Sequence, residues 1–138
     1  FAYPMDSYAK TCALVRSKKN YSIQLNMKHG HIFDFPEFFL FIDQYILNGT
    51  PMPEVSRPVV KKNKVSALVK AETKLIEAKL YYTIAPHDQN RSRAWHTIDL
   101  TLNGNRINGD APPDDAKVWY VAVRDERKAI TSSELIMP

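Results

Sequence analysis

Residues Phe35 to Leu47 constrain this chain more than any other stretch. Nine of these thirteen residues are apolar: Phe35, Phe38, Phe39, Leu40, Phe41, Ile42, Tyr45, Ile46 and Leu47. Asp34 suits the residue that caps a helix, Pro36 and Glu37 suit its first turn, and Asn48-Gly49 suits its end. At about 100° per residue, these side chains cover nearly the whole circumference. A helix apolar on most sides needs a large core or lipid around it. The segment is too short for lipid, since a bilayer takes about 20 residues. Burying one such side chain is worth roughly 1.5–3 kcal/mol, so the helix demands partners.

The sequence before it supplies few. Asp6 and Ser7 cap a helix through Ala9, Cys12, Ala13, Leu14 and Val15, which Ser17-Lys18-Lys19-Asn20 closes. Tyr21 to Met27 then alternates, with Tyr21, Ile23, Leu25 and Met27 on one face, and predicts a strand. One helix and one strand cannot enclose the apolar segment, and a single strand makes no sheet. Residues 1–52 are therefore expected to be a helix–strand–helix edge of a larger α/β sheet. Its remaining strands would lie N-terminal to Phe1, or a second copy of the chain would cover the Phe35–Leu47 helix.

The second half follows a different pattern. Residues 65–69, 75–84, 95–102, 117–124 and 130–136 read as short strands. Turn signals separate them at Asn103-Gly104-Asn105, at Asn108-Gly109-Asp110 before Pro112-Pro113, and at Asp125-Glu126-Arg127-Lys128. Residues 59–138 are expected to form a small all-β, immunoglobulin-like sandwich. Residues 53–58, with Pro53 and Pro58, read as a linker.

Composition excludes several classes. One cysteine in 138 residues, Cys12, allows no disulfide within the chain and no cysteine-only metal site. Cys12 lies between apolar neighbours and is expected to be a buried small hydrophobe. No apolar run is long enough to cross a membrane. The net charge of +4 is mild, and Lys61, Lys62 and Lys64 lack the interleaved aromatics of a nucleic-acid or membrane surface. Neither nucleic acid nor membrane is expected as a partner. Trp95, Trp119, Tyr81, Tyr82 and Tyr120 could form a sugar-stacking platform, but alternation places Leu80 with Tyr82, and Trp119 with Val121, on inward faces. They are expected in the core. Asp114-Asp115 reads as an exposed turn.

Between the strand and the apolar helix lies His29-Gly30-His31. A serine hydroxyl attacks poorly until a base removes its proton, and imidazole titrates near neutrality. A histidine in a loop after a late strand, followed by a helix packing back, is the order in which the base of an α/β-hydrolase triad appears. A metal site would need three or four ligands. His29, His31 and Asp34 have no further partner at recognisable spacing, and His87 and His96 lie in the β half. No metal and no cofactor is expected.

The run Ile23-Gln24-Leu25-Asn26-Met27-Lys28-His29-Gly30-His31, then Pro36-Glu37, Phe41-Ile42-Asp43 and Gly49-Thr50-Pro51-Met52-Pro53, resembles the C-terminal region of bacterial acetylxylan-esterase-like and prolyl-oligopeptidase-like α/β-hydrolases. In that group a Met-x-His-Gly/Ser-His loop leads into a Pro-Glu-x-x-x-Phe-x-Asp helix, and a β-sandwich is appended. Ala78 to Thr83, Arg93-Ala94-Trp95 and Trp119 to Glu134 also fit, less specifically. The resemblance implies a serine hydrolase acting on a small ester, a carbohydrate ester or a peptide, with His29 or His31 as the triad base. Glycine follows His29 and precedes His31, so both stay candidates. It also implies a periplasmic or secreted location as one option. No Gly-x-Ser-x-Gly occurs in the chain, so the nucleophile, and with it the acid, is expected upstream of Phe1. Asp6 is the one acid within reach, and it reads as a helix cap. The alternative is a β-sandwich module that binds carbohydrate or protein, or that only covers the edge of the hydrolase.

Overall fold

A computed structural model describes residues 5–25, 34–85 and 93–138. It is mostly β, with two short helices, α1 (Met5–Leu14) and α2 (Pro36–Ile46). Nine strands follow: β1 (Glu54–Val55), β2 (Val59–Lys61), β3 (Lys64–Lys70), β4 (Leu75–Thr83), β5 (His96–Asp99), β6 (Thr101–Asn103), β7 (Arg106–Asp110), β8 (Val118–Asp125) and β9 (Ile130–Ser132). They form two antiparallel sheets. In one, β3 carries β1 and β2 along one edge and β7 then β6 along the other; the second runs β5-β4-β8-β9.

The core fills the space between the sheets. Val65, Ala67 and Val69 of β3 and Ile107 of β7 face Ala78 and Leu80 of β4 and Trp119, Val121 and Val123 of β8. These are alternate residues of each strand, as a two-sheet sandwich requires. Strand β8 is covered on its other face as well. Val118, Tyr120 and Ala122, with Leu135, pack under Met5, Tyr8 and Ala9 of α1 and under Ile23. This double burial explains why Val118-Trp119-Tyr120-Val121-Ala122-Val123 is apolar without alternation.

A small β-sandwich is thus present, and its strands differ in detail from those expected. The segment 95–102 is two strands rather than one. β5 pairs with β4, the chain breaks at Leu100, and β6 pairs with β7 in the opposite sheet. Asn108-Gly109-Asp110 is not a turn but the second half of β7, paired with Val65, Ser66 and Lys64 of β3. The expected linker 53–58 has structure of its own. Pro53 is fully buried, Met52 beside it is 3% exposed, and Glu54–Val55 pairs with β3. Lys62 and Asn63 both have positive φ, 50° and 58°, and make the two-residue turn between β2 and β3.

The N-terminal part differs more. Both expected helices form, but the expected strand over residues 21–27 does not. Tyr21 makes a single bridge to Ser132, whose N–H donates to the Tyr21 carbonyl at 2.8 Å. Residues 22–24 are irregular, with the Gln24 amide donating to the Ser22 hydroxyl at 2.9 Å. Residues 26 and 27 lie outside the described residues. The reason is the partner on offer: among the described residues, the edge beside Tyr21 is three-residue β9, too short to carry a longer ladder. An alternating pattern fixes which face a residue occupies, not whether a neighbouring strand exists.

Candidate functional site

His29 and His31 lie outside the described residues. The surface that the structure does place is the one they lead into, where α2 meets the sandwich.

Pro36 starts α2 at a position where its missing N–H costs nothing. The residue before it, Phe35, is the N-cap and makes no side-chain cap bond. Asp34, the expected cap, is exposed. Glu37 turns inward instead and is the one buried residue of the helix. Its Oε1 accepts the N–H of Ile130 at 2.5 Å, at the start of β9, while its Oε2 is buried with no partner among the described residues. At the other end the backbone reverses through Asn48, at φ 55°. The carbonyl of Asp43 accepts the N–H of both Leu47 and Gly49 at 3.0 Å. A Cβ at Gly49 would sit 1.9 Å from the Asp43 carboxylate, which would have to move.

The segment after α2 is tied down by polar groups. Gln44 Oε1 accepts the Met52 N–H at 3.0 Å. Arg127, in the turn from β8 to β9, donates to the carbonyls of Thr50 and Pro51 at 2.8 and 3.1 Å. Its Nε holds Asp125 at 2.7 Å. Asp125 is fully buried and also accepts the N–H of Arg127 and Ala129 and the hydroxyl of Thr73. These bonds fix where α2 leaves the sandwich. They do not cover it: Phe39 is 59% exposed, Ile46 72% and Leu47 70%. No apolar side chain of α2 is buried.

Beside this junction lies an open cleft of about 440 Å³. Tyr45, Pro51, Met52 and Ala71 give it apolar walls, with Lys18, Lys70, Glu54, Glu72 and Gln44 around them. Lys19 also lines it, but its ammonium donates to the carbonyls of Cys12 and Val15 at 2.6 and 3.0 Å, closing the end of α1.

Other singled-out residues have structural places. Trp119 and Tyr120 are buried, 5% and 1% exposed. Tyr81 stacks on Tyr120 at 5.1 Å and Trp95 meets Tyr120 edge-on at 5.6 Å, so these rings pack against one another. Burial pushes the phenols of Tyr8, Tyr81 and Tyr120 up from their usual value. Cys12 is half-buried rather than buried. Asp6 lies in the first turn of α1 and pairs with Lys10 at 3.3 Å. Asp114 and Asp115 are exposed in a turn. On the solvent side of β4, Glu77 pairs with Lys79 and Arg124. Its carboxyl is held below the usual range chiefly by the Lys79 hydrogen bond; burial opposes this, and Arg124 adds a smaller lowering effect. No cluster of three metal-ligating side chains occurs among the described residues.

Sequence reasoning singled out the His loop and missed the cleft. Tyr45 and Met52 were visible only as parts of an apolar helix and of the Gly49–Pro53 run that follows it. Comparison of the chain with protein-family models, with curated proteins and with solved structures found no match.

Proposed function

We propose that the chain is the C-terminal part of a serine hydrolase of the α/β-hydrolase type. Residues 1–52 finish the α/β core and supply the triad base, and residues 59–138 are an appended immunoglobulin-like sandwich. The hydrolase reading rests on the resemblance of residues 23–53 and on one observation, the condition of α2. This helix follows the His-Gly-His loop, touches the sandwich through Glu37, and leaves Phe39, Ile46 and Leu47 in solvent. An element anchored on one side and apolar on the other belongs between two bodies. The N-terminal remainder of the hydrolase is the second body. The sandwich reading is supported by strand order. With β1 and β2 on its outer edge, β3-β7-β6 corresponds to the ABED sheet, and β4-β8-β9 to the CFG sheet.

In this mechanism a serine upstream of Phe1 attacks the carbonyl carbon of an ester or amide. His29 or His31 takes the serine proton and returns it to the leaving group; water then releases the acyl group by the same route. No cofactor enters.

The test is hydrolysis of p-nitrophenyl acetate by two proteins: the 138-residue chain, and the chain extended by the sequence encoded upstream of Phe1. The extended protein is expected to be active and to lose about 10³-fold or more in kcat on replacing the base by alanine. Only one of His29→Ala and His31→Ala is expected to have that effect. Histidine-dependent activity of the 138-residue chain alone, or full activity of both variants in the extended protein, overturns the proposal.

A further inference from the structure

The cleft beside α2 has a composition that selects among ligands. Its cations and anions nearly cancel. Lys18, Lys19 and Lys70 against Glu54 and Glu72 leave a net charge of only +1, and the Lys19 ammonium is turned onto the α1 carbonyls. Lys70 lies directly across the ladder from Glu54. Such a ring attracts neither an anion nor a cation strongly, since each ligand charge meets one group of its own sign. A purely apolar ligand fits no better, because it would strip water from four charged groups without replacing it.

A neutral ligand rich in hydroxyls uses every group present. Each hydroxyl both donates and accepts, so carboxylates and ammoniums serve equally well. Gln44 adds a donor pair, because its Oε1 is taken by the Met52 N–H and its amide nitrogen has no partner among the described residues. Tyr45, about a third exposed, and the buried Met52 give an apolar wall for the C–H face of a ring. The volume, about 440 Å³, falls in the range of small-ligand sites. We propose that this cleft, formed by α2, the segment after it and the β1–β3 edge, binds a neutral sugar unit of a glycan chain. The cleft is open to solvent on one side, so a chain could continue past it. The inference rests on the cleft alone and stands whether or not the hydrolase reading holds.

The test is titration of the isotope-labelled 138-residue chain with xylohexaose, cellohexaose and maltohexaose, read by amide chemical shifts. One of the three is expected to give saturable shifts centred on Lys18, Tyr45, Glu54, Lys70 and Glu72. Tyr45→Ala is expected to weaken binding at least tenfold, and Tyr45→Phe to keep it. Should Tyr45→Ala unfold, Glu72→Gln in the exposed loop serves, with an expected loss of threefold or more. Raising salt from 50 to 500 mM is expected to leave the affinity within twofold, because no net charge is recognised. Three results overturn the proposal: no saturable shift with any of the three sugars, shifts centred on another face, or tighter and salt-sensitive binding of phosphate or diglycine at the same residues.

Discussion

Asp125 shows how much one side chain can hold. It is fully buried and accepts four hydrogen bonds, from Thr73, from Arg127 twice and from Ala129. Through Arg127 it also fixes the carbonyls of Thr50 and Pro51, which lie 77 and 76 residues from Arg127 in sequence. Removing one member of a buried ion pair typically costs 3–5 kcal/mol. Asp125→Ala is therefore expected to lower unfolding free energy by about 3 kcal/mol or more in urea; a loss under about 1 kcal/mol would show that water replaces the network. Tyr120 acts through its burial instead. Its phenol, like that of Tyr8, is raised above the ordinary value near 10. The neutral ring is thus favoured in the folded protein. Its contribution to stability is complete below about pH 10 and fades as pH rises toward the folded value. Each such tyrosine adds a downward slope of about 1.4 kcal/mol per pH unit there. Tyr120→Phe keeps the stacked ring and is expected to shallow the alkaline limb by about that slope in denaturant titrations between pH 10 and 11.5. An unchanged limb would mean that the phenol ionises in place.

At the scale of elements, the crossing between sheets depends on a close approach. The chain leaves β5, breaks at Leu100 and enters β6 in the other sheet. Gly109 of β7 lies against the break, and a Cβ there would sit 2.3 Å from the Leu100 side chain. Overpacking a core site typically costs 1–3 kcal/mol. Gly109→Val is expected to cost about 2 kcal/mol or more in thermal unfolding, and pairing it with Leu100→Ala should recover part of that loss. Additive losses in the double variant would place the strain elsewhere. This element also marks where sequence reading stopped. Asn108-Gly109-Asp110 has strong turn chemistry, yet Ile107 pairing and the Leu100 approach keep it in a ladder. The strands around Val65–Val69, Leu75–Thr83 and Val118–Val123 were legible because their apolar residues line faces that are in fact buried. The strand expected over 21–27 had the same alternation and lacked a neighbour long enough to pair with. The His loop was legible as a motif and lies outside the described residues. The cleft was illegible because Lys18, Tyr45, Met52 and Lys70 come from four separate segments, and no spacing along the chain records their meeting.

At the scale of the whole molecule, the apolar outer face of α2 decides how the chain behaves in solution. Phe39, Ile46 and Leu47 are each more than half exposed, and Leu14 at the end of α1 is 80% exposed. Exposed apolar surface of this kind favours association. The 138-residue chain on its own is expected to self-associate, with a sedimentation coefficient that rises with concentration. A triple variant, Phe39→Lys, Ile46→Lys and Leu47→Lys, is expected to remain monomeric. These three side chains do not contribute to the sandwich core, so the variant's β-sheet unfolding should stay within about 0.5 kcal/mol for each substitution. If the proposed hydrolase reading holds, the same substitutions in the upstream-extended protein are expected to do the opposite, lowering stability by several kcal/mol, since there they would bury charge against the proposed α/β core. The contrast separates two accounts of the helix. If α2 is only a sticky surface, the variant improves both proteins. If it is the contact between a hydrolase body and a sandwich, the variant improves the short chain and breaks the long one. A wild-type chain that stays monomeric at millimolar concentration would remove the reason to seek any partner for this face.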